Sequence, residues 1–270
     1  MKKNIYIQYF LIAFIIIVLI CTIYNYTKKE AFQNNIANNS SVISTAYVIN
    51  LDKRPKRWKT IQSKFKDSNI QLMRFSAVQH RNGYLGNAMS FMKAIRFAKE
   101  NNLDTILIFE DDNKPLEGYN KRWLIIKEWL DNNLDTWDIY NGGARFPDWS
   151  DYWYKDTSPY VHETKLAYSI QSNEYLFKAP QVFALNWFYA NKNAYDRILE
   201  WEILYKEKKV PDGIDRYLCN SEYFNHVFSI PVLALQESGE SDTTSYQDFD
   251  KTDKTLMKIF NDAYEKEVGV

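Results

Sequence analysis

Cysteine is scarce in this chain of 270 residues, which has two, Cys21 and Cys219. They lie far apart, and Cys21 falls within an N-terminal apolar run, so a disulfide between them is implausible and no oxidising compartment is inferred. No Cys-x-x-Cys pair or Cys/His cluster has the spacing of a zinc site. The cysteines therefore indicate neither a disulfide-stabilised fold nor a structural zinc centre.

The chain also lacks net charge, since 34 Lys+Arg balance 34 Asp+Glu. Nucleic-acid-binding proteins usually carry a basic excess, so that class is disfavoured. There is no Gly-x-x-x-x-Gly-Lys run and no Gly-x-Ser-x-Gly elbow, which disfavours P-loop enzymes and α/β-hydrolases. Aromatic residues are abundant, with 20 Tyr, 16 Phe and 8 Trp. They suit either sugar binding or an aromatic core, and composition does not decide between the two.

Residues 5–24 form an almost wholly apolar run, interrupted by Gln8. About 20 such residues match the hydrocarbon thickness of a bilayer. The end of the run lacks the small residues of a signal-peptide cleavage site. We predict a short flank (1–4), an uncleaved single-pass transmembrane anchor (5–24), a linker (25–44) and a globular domain (45–270). Lysines flank the run on both sides and leave its orientation open, with a type II signal-anchor as the expectation.

Apolar and β-branched runs predict strands, and apolar residues at helical spacing predict helices. Strands are expected at 45–51, 71–75, 105–109, 138–141 and 182–189, and helices around 58–65, 88–98, 123–130, 192–205 and 253–265. This alternation predicts an α/β domain with a mainly parallel sheet. Ligands of such sheets bind beyond the carboxyl ends of strands, where the triplet Glu110-Asp111-Asp112 is expected to lie.

Three adjacent carboxylates repel one another unless a cation or hydrogen bonds compensate. A divalent ion held by one or two carboxylates, a diphosphate and water fits such a triplet, and a solvated acidic turn is the alternative. Receiver domains and haloacid-type phosphatases carry acids after their first strand. Here the triplet follows the third predicted strand, and no convincing Asp…Thr/Ser…Lys series follows it. Both of these classes are therefore disfavoured.

Several ordered motifs resemble glycosyltransferase family 25, which includes lipooligosaccharide and collagen galactosyltransferases. The first is the segment 47–58, Tyr-Val-Ile-Asn-Leu-Asp-Lys-Arg-Pro-Lys-Arg-Trp, which is similar to that family's opening signature. The others are 75–78, 86–90, 106–112, 137–142, 215–218 and the closing block around Pro231, Gln236 and 241–242. The resemblance covers most of residues 46–242. The sequence departs from the pattern at Phe91, where the family often has His, and at 185–189.

The resemblance implies a GT-A fold, inversion at the anomeric carbon, a UDP-sugar donor and Mn²⁺ or Mg²⁺. Asp112, together with Glu110, is then expected to bind the metal. Asp215 is expected to be the general base on the acceptor hydroxyl, with Asp212 and Glu237 as rivals and a helix cap as the alternative role. The residues expected to border the donor are Asn50, Leu51, Arg54, Glu110, Asp111 and Asp242.

These observations together predict a membrane-anchored hexosyltransferase that moves galactose or glucose from a UDP-sugar to a glycan or glycosylated acceptor. Lipopolysaccharide or other glycan biosynthesis is the expected setting, without any nucleic-acid partner. The aromatic stretch 149–160 is expected on the acceptor side. Two alternatives stay open: a non-catalytic, membrane-tethered glycan-binding relative, and a metal-dependent phosphohydrolase.

Overall fold

A computed structural model describes Phe14, residues 44–144, 164–210 and 213–238, Glu265 and Val268. The chain divides into two compact units, Met1–Ile43 and Ser44–Val270. Within the described residues, no helix has the length and apolar character needed to cross a membrane. The predicted anchor at 5–24 and the predicted C-terminal helix lie outside the described residues, apart from Phe14 and Glu265.

Ten strands are described in the second unit. Eight of them form one sheet, in the order β2-β1-β3-β8-β5-β9-β7-β6, and the other two, β4 and β10, pair separately. The strands are β1 (Ser44–Asn50), β2 (Ile70–Ser76), β3 (Thr105–Glu110), β4 (Asn113–Pro115), β5 (Ile139–Asn141), β6 (Lys165–Ser169), β7 (Tyr175–Lys178), β8 (Trp187–Asn191), β9 (His226–Ser229) and β10 (Ala234–Gln236).

Six helices accompany these strands. They are α1 (Pro55–Lys64), α2 (Gly83–Glu100), α3 (Tyr119–Asp131), α4 (Tyr195–Leu199), α5 (Trp201–Lys206) and α6 (Ile214–Leu218). Pro55 opens α1, where a missing backbone N–H costs nothing. The side chain of Asn82 accepts a hydrogen bond from the Leu85 amide and so caps α2.

The large sheet is mixed, with most strands running one way. The pairs β1–β2, β1–β3 and β5–β9 are parallel. The pairs β3–β8, β5–β8, β7–β9 and β6–β7 are antiparallel. Taken along the sheet, β7 and β8 are therefore reversed and the other six strands share one direction. The prediction of a mainly parallel α/β sheet is confirmed in strand direction, with these two reversals added.

Helix α2 covers one face of the sheet. Its buried residues Ala88, Phe91 and Ile95 belong to the same apolar cluster as Ile106 and Ile108 of β3. These strand residues are two apart, as expected for side chains on one face. The face is continuous with β8, because the rings of Phe91 and Phe188 lie 5.5 Å apart and nearly perpendicular.

Helices α1 and α3 cover the opposite face through aromatic contacts. Phe109 of β3 lies 5.1 Å from Phe65, which ends α1, and 4.5 Å from Trp187 of β8, measured between ring centroids. Trp123 of α3 lies 5.4 Å from Trp187. All four rings are buried. Among the described residues, many of the aromatic side chains therefore belong to the hydrophobic core.

The predicted strands β1, β2, β3 and β5 and the helix at 88–98 are confirmed within a few residues. Two predictions were wrong in extent. The segment 182–186 is irregular, so the strand begins at Trp187, and the helix predicted at 192–205 divides into a 3₁₀ turn, α4 and α5. A cis peptide precedes Pro231, which lies between β9 and β10.

Candidate functional site

The acidic triplet lies at the carboxyl end of β3, as predicted, and its members separate to the two faces of the sheet. Glu110 shares the period-two register of Ile106 and Ile108, which pack with α2. Asp111 and Asp112 follow the strand and meet Arg57 of α1. Three consecutive carboxylates can sit together here because different groups surround each of them.

Arg57 provides a positive charge for two of these carboxylates. Its Nη1 lies 2.9 Å from Oδ1 of Asp111 and 3.4 Å from Oδ2 of Asp112. The three side chains are 26%, 11% and 19% exposed, respectively, so solvent screens these contacts less than it screens a surface pair. Arg57 therefore forms ion pairs with two members of the triplet.

Asn50, at the end of β1, connects this group to the rest of the sheet. Its Nδ2 donates to Oδ2 of Asp111 at 2.7 Å and to the carbonyl of Arg54 at 3.1 Å. Its Oδ1 accepts from Nε of Arg74 at 2.8 Å. Leu51 contributes its backbone carbonyl, which accepts from the Arg54 amide at 2.9 Å. Asn50 and Leu51 thus shape the turn into α1, and this turn carries Arg54.

Glu110 has a different set of partners. Its Oε1 accepts a hydrogen bond from Nδ2 of Asn87 in α2 at 2.9 Å. Its Oε2 accepts from Nε2 of Gln236 in β10 at 3.2 Å. The backbone amide of Glu110 donates to the carbonyl of Asn186 at 3.3 Å. Two side-chain amides therefore fix the Glu110 carboxyl on the α2 face.

Burial changes the acidity of this group of residues. Burial, then the charge of Asp112, raises the pKa of Glu110 from 4.5 to about 8, and the charges of Asp215 and Asp111 add to the rise. Burial, then the charge of Asp111, raises the pKa of Asp112 from 3.8 to about 6, although Arg57 opposes this rise. At neutral pH, Glu110 is therefore mostly protonated and Asp112 mostly ionised.

Asp215, the predicted general base, lies in the first turn of α6 on the same side of the sheet as Glu110. Gly213 is the N-cap of α6, so Asp215 does not act as the helix cap. Its Oδ1 accepts from the Arg216 amide at 3.0 Å, and burial raises its pKa. Its charge raises the pKa of Glu110 and of the buried Cys219 thiol. Glu110, Asp215 and Cys219 therefore lie close enough for the charge of one to affect the pKa of another.

A cleft of about 480 Å³ opens on the side of Asp111 and Asp112. The residues that line it are Lys53, Arg54, Pro55, Lys56, Arg57, Asp112, Glu237 and Ser238. Four of these eight are cationic, and they come from the β1–α1 turn and the start of α1. Asp112 brings a carboxylate to the same cleft. Such a lining suits a multiply charged anion together with a divalent cation.

The far wall of the cleft comes from the C-terminal part of the described chain. Strand β10 pairs antiparallel with β4, which directly follows the triplet. The Glu237 amide donates to the Asp112 carbonyl at 2.8 Å, and its carboxylate lies 2.7 Å from Nζ of Lys64. These contacts hold Glu237, a predicted rival base, at the cleft beside Asp112 and Lys64.

The carboxylate oxygens of the triplet differ in whether a hydrogen bond already occupies them. Oδ1 of Asp112 is buried and has no hydrogen-bond partner. Both oxygens of Asp111 and both of Glu110 already accept hydrogen bonds. Across the described ranges, no three His, Cys, Asp or Glu side chains form a group that could hold a metal ion. Within the triplet, only Asp112 has an oxygen without a partner, so a divalent cation here would take Asp112 as its protein ligand and its other oxygens from a bound ligand and water.

The floor behind the triplet is tightly packed around two glycines. A Cβ on Gly143 would lie 2.2 Å from Oδ1 of Asn186, and one on Gly142 would lie 2.6 Å from the Trp187 ring. Asn186 is buried, its Nδ2 donates to the Leu235 carbonyl at 3.1 Å, and its own carbonyl accepts from Nδ2 of Asn113 at 2.5 Å. The side chains of Asn186 and Trp187 therefore leave no room for a side chain at positions 142 and 143.

Three of the predicted site features lie outside the described residues: Asp242, Asp212 and the aromatic stretch 149–160. Sequence reasoning gave no individual role to Asn87, Gln236 or Lys64, although Asn87 and Gln236 fall within the quoted motifs. Neutral amides carry no charge pattern, and their partner Glu110 is 23 and 126 residues away in sequence. Helical spacing within α2, which places Asn87 one turn before Phe91, was the available signal.

Comparisons with known proteins are distant. No family model and no curated protein sequence matches the chain. Mannose-1-phosphate geranyltransferase from Thermus thermophilus is 8% identical over 72% of this chain and 74% of its own, with a TM-score of 0.34. A nucleoside-diphosphate-sugar pyrophosphorylase from Vibrio cholerae is 8% identical over 72% of this chain and 76% of its own, with a TM-score of 0.32. A UDP-glucose pyrophosphorylase without ligand is 7% identical over 83% of this chain and 82% of its own, with a TM-score of 0.37. Likenesses this weak assign neither a family nor an activity.

Proposed function

We propose that the chain is a metal-dependent glycosyltransferase that moves a hexose from a UDP-sugar to a glycan acceptor. The observation that carries the proposal is the cleft that Asp112 lines together with Lys53, Arg54, Lys56 and Arg57, since one oxygen of Asp112, the buried Oδ1, has no hydrogen-bond partner. A nucleoside diphosphate has the matching chemistry, because its oxygens bind cations and complete a metal's coordination.

In this proposal, separate residues of the chain bind the diphosphate, hold the metal and take up the proton. Arg54 and the neighbouring lysines bind the diphosphate, and Arg57 holds Asp111 and Asp112 in place. Asp112 holds Mn²⁺ or Mg²⁺, which stabilises the charge that develops on the departing diphosphate. Asp215 takes the proton of the acceptor hydroxyl, and the sugar is transferred with inversion.

The motif resemblance to family 25 supports the GT-A assignment, and a mainly parallel α/β sheet with the triplet at the end of β3 agrees with it. The membrane anchor at 5–24, its type II orientation and the role of Asp242 belong to the same proposal. They rest on the sequence.

Calorimetry of UDP and Mn²⁺ binding to the full chain in detergent tests the proposal. Wild type should bind UDP only with the metal present. Asp112→Asn should lose about tenfold or more in affinity, because no other oxygen of the triplet is available to the metal. Release of UDP from UDP-galactose or UDP-glucose then identifies the reaction. Metal-independent UDP binding, or phosphate release from simple phosphoesters without UDP release, contradicts the proposal.

A further inference from the structure

The two faces of the sheet carry two different halves of the candidate site. The cleft with its cationic lining lies on the side of α1. Glu110 and Asp215 lie on the side of α2 and α6, where Ile214, Tyr217 and Leu218 share the apolar cluster of Ala88 and Phe91. The carboxyl of Glu110 is held on the α2 side, where Asn87 donates to its Oε1, and Glu110 does not line the cleft.

Several contacts hold Glu110 in this orientation. Asn87 and Gln236 donate to its two oxygens at 2.9 and 3.2 Å. These amides come from different elements, α2 and β10, and each donates to a separate oxygen. A surface carboxylate would find its partners in water, whereas this part-buried carboxyl has a fixed side-chain donor for each oxygen.

Glu110 and Asp215 also share one stretch of backbone. The amide of Glu110 donates to the Asn186 carbonyl at 3.3 Å, and a backbone hydrogen bond from Ala184 reaches the Asp215 carboxylate. Ala184 has a φ of 68°, a left-handed conformation that is uncommon for a non-glycine residue and is often found beside functional sites. The short segment 184–186 therefore contacts the backbone of Glu110 and the carboxyl of Asp215.

We infer that Glu110 belongs to the acceptor side of the reaction, where Asn87 and Gln236 position its carboxyl beside Asp215 to orient the acceptor hydroxyl. This inference rests on the proposed function and changes the role of Glu110 from metal and donor binding to acceptor binding. Asn87 and Gln236 are positioning residues, because they act through Glu110. The ligand of this half of the site is a hydroxyl group, from a sugar or from water.

The test separates donor binding from turnover in the full chain, with water as the acceptor. UDP affinity is measured with Mn²⁺ present, and kcat and donor KM are measured from UDP release. Glu110→Gln should lower kcat about 100-fold, a loss typical of a group that handles the reacting proton or hydroxyl. Its UDP affinity and donor KM should stay within about twofold of wild type, because it leaves the cleft unchanged.

Asn87→Ala and Gln236→Ala should each lower kcat by roughly 5- to 30-fold with donor KM unchanged, since a misplaced carboxyl orients the hydroxyl poorly. Asn120→Ala is the matched control. Asn120 exchanges hydrogen bonds with Asn69 away from the site and should leave kcat unchanged. Thermal unfolding of each variant confirms that it has folded.

Two results overturn the inference while leaving the proposed function intact. In the first, Glu110→Gln weakens UDP binding as strongly as Asp112→Asn, which places Glu110 at the donor. In the second, Glu110→Gln folds and keeps wild-type kcat. A wild-type chain that binds no UDP with Mn²⁺ and releases none from nucleotide sugars overturns the proposed function, and the acceptor role of Glu110 with it.

Discussion

Nη1 of Arg57 lies 2.9 Å from Oδ1 of Asp111, which joins the first helix to the acidic triplet. The same nitrogen lies 3.4 Å from Oδ2 of Asp112. One guanidinium thereby offsets the repulsion between two adjacent carboxylates, and it does so at the edge of the cleft. The pair is thus part of the site as well as of the fold.

Replacing Arg57 by Met should weaken UDP binding by about tenfold or more, because the variant loses a cation of the cleft and leaves Asp111 and Asp112 uncompensated. The pKa of Asp112 should rise further, since Arg57 now lowers it. Calorimetry across pH 5 to 8 measures both effects. Arg96→Met is the control, because Arg96 pairs with Glu202 in α5. An equal loss in the two variants contradicts the specific role of Arg57.

Glu110 should make the metal-free protein less stable as pH rises. Its pKa is about 8 when folded and 4.5 ordinarily, so the folded state binds the proton more tightly. The stabilisation is complete below pH 4.5 and is lost as pH rises through 8. Between pH 6 and 8 the free energy of unfolding should fall by roughly 2 kcal/mol more in wild type than in Glu110→Gln. Urea unfolding with EDTA measures this difference, and parallel pH profiles for the two proteins argue against it.

His226 should make the folded protein less stable as the pH falls. It is buried, neither ring nitrogen has a hydrogen-bond partner, and burial lowers its pKa from 6.5 to about 3. The stability that this neutral ring contributes is present above pH 6.5 and is lost as pH falls towards 3. Between pH 7.5 and 5, wild type should lose about 2 kcal/mol that His226→Phe keeps. Chemical unfolding at the two pH values measures this, and equal losses contradict it.

Gly142→Ala should destabilise the fold by about 3 kcal/mol. The new Cβ would lie 2.6 Å from the Trp187 ring, which Phe109 and Trp123 hold in place. Gly118→Ala is the control, because nothing lies within 4 Å of its Cβ position. With a φ of 74°, Gly118→Ala should cost about 1 kcal/mol from backbone strain alone. Urea midpoints rank the two variants, and the reverse order contradicts the close approach of Trp187.

Hydrophobic patterning predicted the elements around the site well. The runs that became β1, β2 and β3 and the stripe that became α2 are long and regular, so local pattern and tertiary packing agree. Short strands such as β6 and β7 have half-exposed, irregular sequences, and pairing with each other and with β9 stabilises them. Such strands depend on partners distant in sequence, which local patterns do not show.

The sequence by itself determined that three carboxylates would lie at the end of a buried strand, within an ordered set of motifs that resembles a glycosyltransferase family. Only the tertiary structure decided how these carboxylates differ. Asp111 and Asp112 meet Arg57 on the cleft side, and Glu110 meets Asn87 and Gln236 on the other. The physical reason is that Glu110 keeps the register of the strand residues that pack with α2, whereas Asp111 and Asp112 follow the end of the strand, and the charge and solvation around each come from residues far away in sequence.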